Sequence, residues 1–372
     1  MSITERVDSA SLTDLRDFHP DEMVTDLEQL TANPVSLRDL YYRWERQNWS
    51  AGALDFAQDA ADWTALDAEV KERLLWVLTM FFCGEEAVTD DLAPWVWSAP
   101  TEEIRHFLAT QLADEARHTV FFDRFYREAV GAPGDLHEML ERYRGTLNAG
   151  YHELFYEMLP AISREVGANP GDPVVFARGV AMYHMVLEGA LAVPGQRYIL
   201  AFCRERGILP GFRAGFTAVA RDESRHVGGG VRILQRLVEM DGDCVPAVQE
   251  LVRQALPHST HVFQPPNADF TYLSVLGYDT RELLRFGLHS LNKRLRAAGI
   301  PMPSMPPMRI PRQDATPTIP ARELTPVQQM LQPMRDQLVP SAVFAALPMV
   351  FNPTVAGDLR ATFRFDVTGD GG

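Results

Sequence analysis

The sequence predicts an all-α bundle of long helices, followed after a proline-rich break by a short α+β fragment. Apolar residues recur at helical spacing through most of residues 36–300, with few of the alternating runs that mark strands. Clusters of Pro and Gly divide that region into helix-sized segments. The glutamates interrupting the apolar faces fall into a repeat, a lone Glu and then Glu-x-x-His, twice over.

Taken in order, Leu74 to Leu92 reads as the first long helix, with a breaker at Pro94. Ile104 to Val130 follows Pro100, and Leu136 to Val166 follows Gly131-Ala132-Pro133-Gly134. Val174 to Arg206 follows Gly171-Asp172-Pro173, and Phe212 to Met240 follows Pro210-Gly211. Thr280 to Ala298 closes a helical domain spanning 1–299. Seven prolines between 301 and 320 are incompatible with regular helix, so 300–323 reads as a linker. In the fragment 324–372, Val327, Met330, Leu331, Met334 and Leu338 share one helix face. Leu359, Ala361, Phe363, Phe365 and Val367 then alternate with polar residues as a half-buried strand does. A turn, Thr368 to Gly372, follows without a return strand, the pattern of a truncated domain.

A formal charge of −15 argues against nonspecific binding to nucleic acid or to an anionic membrane. The apolar run Leu74 to Cys83 is too short to span a bilayer, so no integral membrane protein is expected. The first residues lack a signal-peptide pattern. Three widely spaced cysteines, Cys83, Cys203 and Cys244, fit a reducing cytoplasm and have no zinc-site spacing.

The chemistry lies in the repeat. Asp114-Glu115-Ala116-Arg117-His118 and Asp222-Glu223-Ser224-Arg225-His226 each place a carboxylate and an imidazole three residues apart, on one helix face. Glu85 and Glu188 precede them by 30 and 35 residues, room for a helix, a turn and part of the next helix. Glu85 shares a face with Leu78, Phe81, Val88 and Leu92, which turns it inward and leaves Glu86 to the flank. Four buried carboxylates without partners are costly, so they carry protons or hold cations. Glu85, Glu115, His118, Glu188, Glu223 and His226 form the ligand set of a dinuclear site in a helical bundle. Oxygen-rich ligands with one imidazole per metal suit iron or manganese. Asp222 and Asp114, each preceding a ligand glutamate, are candidates to accept the second N–H of a metal-bound histidine. His184 reads as a satisfied helix histidine, and His152, Glu153 and Glu157 as a cluster outside the ligand set.

With its flanks, the arrangement resembles the small subunit of class I ribonucleotide reductase, in the ferritin-like superfamily, and more closely the related ligand-binding oxidases. The strings that carry the resemblance span roughly 36–295: Gln47-Asn48-Trp49, Leu54-Asp55-Phe56, Asp59, Asp62-Trp63, Gly84-Glu85-Glu86-Ala87-Val88 and Asp222-Glu223-Ser224-Arg225-His226. Where the reductase subunits have a radical tyrosine, four residues after the first-motif histidine, this chain has Phe122. Val88 and Tyr183 match the positions that the ligand-binding oxidases join by an oxidatively formed ether cross-link. That resemblance implies a manganese and iron pair, or two irons, activation of O2, and a bound long-chain fatty acid. It also implies a homodimer and places Asp222 beside His118, with Trp49 further along an electron path.

A packing tyrosine and an ordinary core tryptophan are the plain alternatives for Tyr183 and Trp49. Five residues along a regular helix turn Tyr183 about 140° away from Glu188. A π-bulge near Glu188-Gly189 would bring them together. The segment from Phe351-Asn352-Pro353 to Gly372 resembles the opening of a sterol-carrier-protein-type lipid-binding domain. Three functions are therefore expected in order: an O2-activating dimetal oxidase with a lipid ligand, a reductase small subunit lacking the radical tyrosine, and a metal-containing lipid carrier without turnover. The second would need a partner-binding tail with a tyrosine, and no tyrosine follows Tyr278.

Overall fold

Helix boundaries follow side-chain chemistry in this chain, whose computed structural model describes residues 3–33, 35–265 and 271–303. Helices α1 (Ile3–Ser9), α2 (Leu12–Leu15) and α3 (Pro20–Ala32) lie ahead of the segment in which the sequence pattern first shows helix. At the start of α4 (Leu37–Arg46), Ser36 Oγ accepts the Asp39 N–H at 3.1 Å and the Asp39 carboxylate accepts the Ser36 N–H, a reciprocal cap. After α5 (Ala57–Ala65) come two long helices, α6 (Ala68–Ser98) and α7 (Glu102–Phe125), joined by a three-residue turn capped by Thr101. A π-helical turn, Tyr126–Val130, extends α7 and ends on Gly131 at φ 74°.

Pro94 does not break α6, contrary to the sequence reading; the helix runs on to Ser98. The neighbouring segment supplies part of the compensation, because the Ser163 hydroxyl donates to the Asp91 carbonyl and accepts Trp95 Nε1–H at 3.1 Å. The expected single helix over 136–166 is divided. Helix α8 (Leu136–Arg144) stops at Gly145, and Asn148 caps a new start by accepting the Tyr151 N–H at 3.0 Å. That second stretch comprises α9 (Ala149–His152), a π-helical turn Glu153–Met158 and α10 (Leu159–Ala168).

Helix α11 (Pro173–Val180) passes through a π-helical segment, Ala181–Ala192, into α12 (Val193–Glu205). In the π register the Val193 N–H turns back to the Glu188 carbonyl, and Pro194 has no N–H to offer the Gly189 carbonyl. The Gly189 carbonyl is taken instead by the hydroxyl of Ser290. Pro173–Glu205 is long and apolar enough to cross a membrane by composition, but 83% of its apolar window is buried within the protein, as in a core helix. Helix α13 (Pro210–Met240) begins in a cap from another element: Asp59 accepts the Gly211 and Phe212 N–H groups at 2.9 and 2.6 Å, and Asp62 that of Leu209 at 2.8 Å. A Cβ at Gly211 would stand 2.3 Å from the Asp55 carbonyl oxygen, so only glycine permits this approach. Helix α14 (Cys244–Val262) is absent from the sequence reading, and α15 (Thr280–Ala297) closes the bundle as expected. No strand occurs among the described residues, and the fold is the all-α bundle that the helical periodicity predicts. From residue 304 the expected linker and lipid-binding fragment lie outside the described residues.

Candidate metal centre

Helices α6, α7, α13 and the π-helical segment Ala181–Ala192 each turn acidic side chains into the bundle core. Glu85, Glu115, Glu188 and Glu223 are all less than 10% exposed, and His118 and His226 are closed to solvent. Their ligand atoms form two clusters, Glu85–Glu115–His118–Glu223 and Glu115–Glu188–Glu223–His226, each with its atoms within 4.8 Å of one another. Glu115 and Glu223 belong to both. Two carboxylates shared between two imidazole-bearing clusters is the geometry needed to bridge a pair of cations.

The imidazoles are oriented from behind. His118 Nδ1 faces Glu85 Oε2 at 3.2 Å, and its Nε2 reaches Asp222 Oδ2 at 3.2 Å. His226 Nδ1 faces Glu188 Oε1 at 3.1 Å, and its Nε2 reaches Asp114 Oδ2 at 3.1 Å. Each aspartate thus serves the histidine of the other motif, so α7 and α13 lock one another's ligands. With Nε2–H donated to an aspartate, Nδ1 is left to point its lone pair inward.

Arg225, 1% exposed, ties the two arms together by donating to Asp114 Oδ2 at 2.6 Å and to Asp222 Oδ1 at 2.9 Å. Arg117 donates to Asp114 Oδ1 at 2.9 Å. Asp222 is buried, which favours its neutral form, but the Arg225 and His118 charges beside it prevail and hold its carboxyl far below the ordinary range. Burial likewise opposes imidazolium at both histidines. Glu85 and Asp222 around His118, and Asp114, Glu115 and Glu188 around His226, outweigh it and raise both pKa values.

The side chains present fit a metal pair. Glu188 Oε2 and Glu223 Oε2 are buried with no hydrogen-bond partner among the described residues. Buried carboxylate oxygens left without donors are what two bound cations would satisfy.

Residues 33–302 match the ribonucleotide reductase small chain family. The chain belongs to that family. It is therefore an oxidoreductase of the dimetal-carboxylate kind. Among solved structures it is similar to mutants of an R2-like ligand-binding oxidase. One has an anaerobically and one an aerobically reconstituted Mn/Fe cofactor, and a third has a non-activated Mn/Mn cofactor; a valine, a tyrosine and a glycine are the residues replaced in them. Each is 28% identical to this chain, covers 71% of it and 93% of its own length, and superposes with a TM-score of 0.61.

Beside the paired clusters lies a largely apolar pocket, partly open to solvent. Glu85, Glu115, Glu188 and Glu223 form its polar end, and Phe81, Phe155, Leu187, Leu191 and Phe263 form apolar walls. Val88 and Tyr183 both line it. The π-helical turn expected near Glu188-Gly189 is present, and within it the Tyr183 hydroxyl donates to Glu115. Burial, and the charges of Glu115 and Glu188, keep that phenol protonated to well above its usual range.

The remaining candidates fall as follows. Trp49 donates its indole N–H to Asp222 at 2.7 Å, which is more than packing. His184 lies outside both clusters, bonded to Gln111 Oε1 at 2.9 Å. His152 bonds the Arg144 carbonyl, and Glu86 pairs with Arg144 at 3.0 Å. The ring contacts of Phe122 among the described residues are Phe81, Phe82, Phe121, Phe212 and Phe216, none of them a tyrosine. Sequence reasoning missed Trp44, whose N–H donates to Asp114 at 2.9 Å just as Trp49 does to Asp222. It also missed the two arginines, although the shared Asp-Glu-x-Arg-His spelling was a signal for them.

Proposed function

We propose that this chain is an O2-activating dinuclear metal oxidase with a lipid ligand. Glu85 and His118 would hold one metal and Glu188 and His226 the other, with Glu115 and Glu223 available to both. The sharing of Glu115 and Glu223 between two buried clusters carries the reading. A manganese and iron pair, or two irons, supplies the electrons and the electrophilic site at which O2 is reduced.

The chain's own residues do the rest. Asp222 and Asp114 fix the histidine tautomers, and the apolar cavity walls exclude water. The apolar walls suit a long-chain fatty acid or similar lipid, whose carboxylate would face the four glutamates and whose chain would run along Phe155, Leu191 and Phe263. Val88 and Tyr183 stand on this cavity, Tyr183 with its O–H on Glu115. Their ether cross-link replaces a C–H bond of Val88 and the O–H bond of Tyr183 by one C–O bond, two protons and two electrons passing to oxygen. A homodimer in the cytoplasm belongs to the same reading, supported in the second respect by three free, buried cysteines.

The test is peptide mass spectrometry after loading with manganese and iron, with and without O2, beside metal analysis. The expected result is a joined Val88–Tyr183 peptide, lighter by two hydrogens, only in the oxygen-exposed sample. Separate peptides in a fully metallated, oxygen-exposed sample would remove the cross-link. A joined peptide without turnover of any lipid tried would identify a carrier that reacts once, on itself.

A further inference from the structure

The two aspartates behind the histidines carry matching indole donors, Trp49 on Asp222 and Trp44 on Asp114. What lies beyond each indole differs. Trp49 is buried, and its ring contacts outside the site among the described residues are Phe121 and the Arg117 guanidinium, neither of which is oxidised at biological potentials. Trp44 is half-buried and its ring lies 5.9 Å from that of Tyr41. Tyr41 in turn lies 6.1 Å from Tyr42, which is 51% exposed. From His226 Nε2 through Asp114 to Trp44, Tyr41 and Tyr42 there is an unbroken line of contacts to solvent, and every ring beyond Asp114 can be oxidised by one electron.

We propose that Trp44, Tyr41 and Tyr42 are a one-electron relay between an external donor and the His226 side of the dinuclear centre. The relay rests on the dinuclear centre proposed above. Trp44 loses one electron to the oxidised centre, its N–H remaining on Asp114, whose negative charge stabilises the indole cation. Tyr41 refills Trp44 and releases its phenol proton to water. Tyr42 refills Tyr41, which regains a proton from water, and a small one-electron reductant of the ascorbate or reduced-flavin class restores Tyr42. The donor is oxidised by one electron, the centre is reduced by one, and the protons return to their phenols. Placing the last ring at the surface lets the donor react without reaching the lipid cavity, which opens among other residues.

The experiment uses the full chain loaded with manganese and iron in air, reduced by ascorbate in a stopped-flow instrument, with the rate read from the loss of the centre's absorbance. Metal content is measured for every variant. Tyr41→Phe keeps the Trp44–Asp114 hydrogen bond and so separates electron transfer from ligand orientation. Tyr41→Phe and Trp44→Phe are each expected to slow reduction about tenfold or more with both metals retained. Trp97→Phe, exposed and off the line, leaves the rate unchanged. A Tyr41→Phe rate equal to that of the parent overturns the relay, whatever Trp44→Phe does, and leaves Trp44 as a positioning residue for Asp114. A parent chain that retains no metal pair overturns the proposed function, and the relay with it.

Discussion

Replacing Arg225 by methionine tests whether the site is held from behind. The guanidinium is 1% exposed and donates to both Asp114 and Asp222, so its loss leaves two buried carboxylates facing each other across a neutral side chain. Removing one partner from a buried ion pair costs about 3–5 kcal/mol, most of it the price of the charge left behind. Arg117 remains 2.9 Å from Asp114 and 3.6 Å from Asp222 and takes up part of the imbalance, which puts the expected loss near the lower limit, about 3 kcal/mol.

The same change loosens both histidines, because Asp114 and Asp222 orient them, and loss of such an outer hydrogen bond weakens metal binding about 10- to 100-fold. Urea unfolding of the metal-free protein, followed by tryptophan fluorescence, measures the first effect, and calorimetric titration with Mn(II) the second. Arg225→Lys should rescue neither fully, since a lysine cannot make both contacts in the arginine's planar fork. A methionine variant with parental stability and parental Mn(II) affinity would refute the argument that this arginine couples the two arms.

Three further outcomes are expected. Because the carboxylates around His118 and His226 raise both imidazole pKa values against the effect of burial, metal uptake must displace protons, so Mn(II) affinity rises with pH. Calorimetry in buffers of different ionisation enthalpy counts those protons, and a count of zero at neutral pH would contradict it. Half-burial, together with the neighbouring Asp90 charge, raises the Asp91 carboxyl to about 6. Since the folded state holds that proton more tightly than the unfolded, ionising Asp91 costs stability as pH rises from about 4 to 6. Asp91→Asn is therefore expected to be more stable above pH 6 by about 1 kcal/mol, after discounting for solvent screening, and no more stable near pH 4. Paired urea titrations at the two pH values show it. At Gly230 an added Cβ would lie 2.4 Å from that of His184, so Gly230→Ala should lose about 1–3 kcal/mol in thermal unfolding. A neutral result there would mean that the segment bearing Tyr183 and His184 can move away from α13.

Much of the site was legible because its defining pattern is local. Glu115 and His118, or Glu223 and His226, share a helix face by spacing alone, and the apolar residues around Glu85 show which way it turns. The failures have equally local causes. Pro94 was read as a breaker from its missing N–H, whereas Ser163 on another helix supports the backbone beside it. Residues 145–148 were read as helix because their apolar spacing continues across a turn that Asn148 sets up. Helix α14 carries Pro257 inside it and gave no clean pattern. The fragment from 304 onward and its resemblance to a lipid-binding domain lie outside the described residues.

By itself, the sequence determined the inventory: an all-α chain, two motifs of matched spelling, an upstream glutamate for each, and a phenylalanine where a radical tyrosine would stand. These follow from helical periodicity and side-chain chemistry, which act over a few residues. The resemblance implied that Asp222 lies beside His118, but tertiary structure alone decided that Asp114 likewise serves His226 and that Arg225 joins the two aspartates. It also decided that Trp44 takes the same place behind Asp114 that Trp49 takes behind Asp222. Those partners are as much as 173 residues apart, and no periodicity relates them. Only the packing of α4 and the loop after it against α7 and α13 brings donor and acceptor within hydrogen-bond reach, and burial then makes each unpaired charge too costly to leave unmatched.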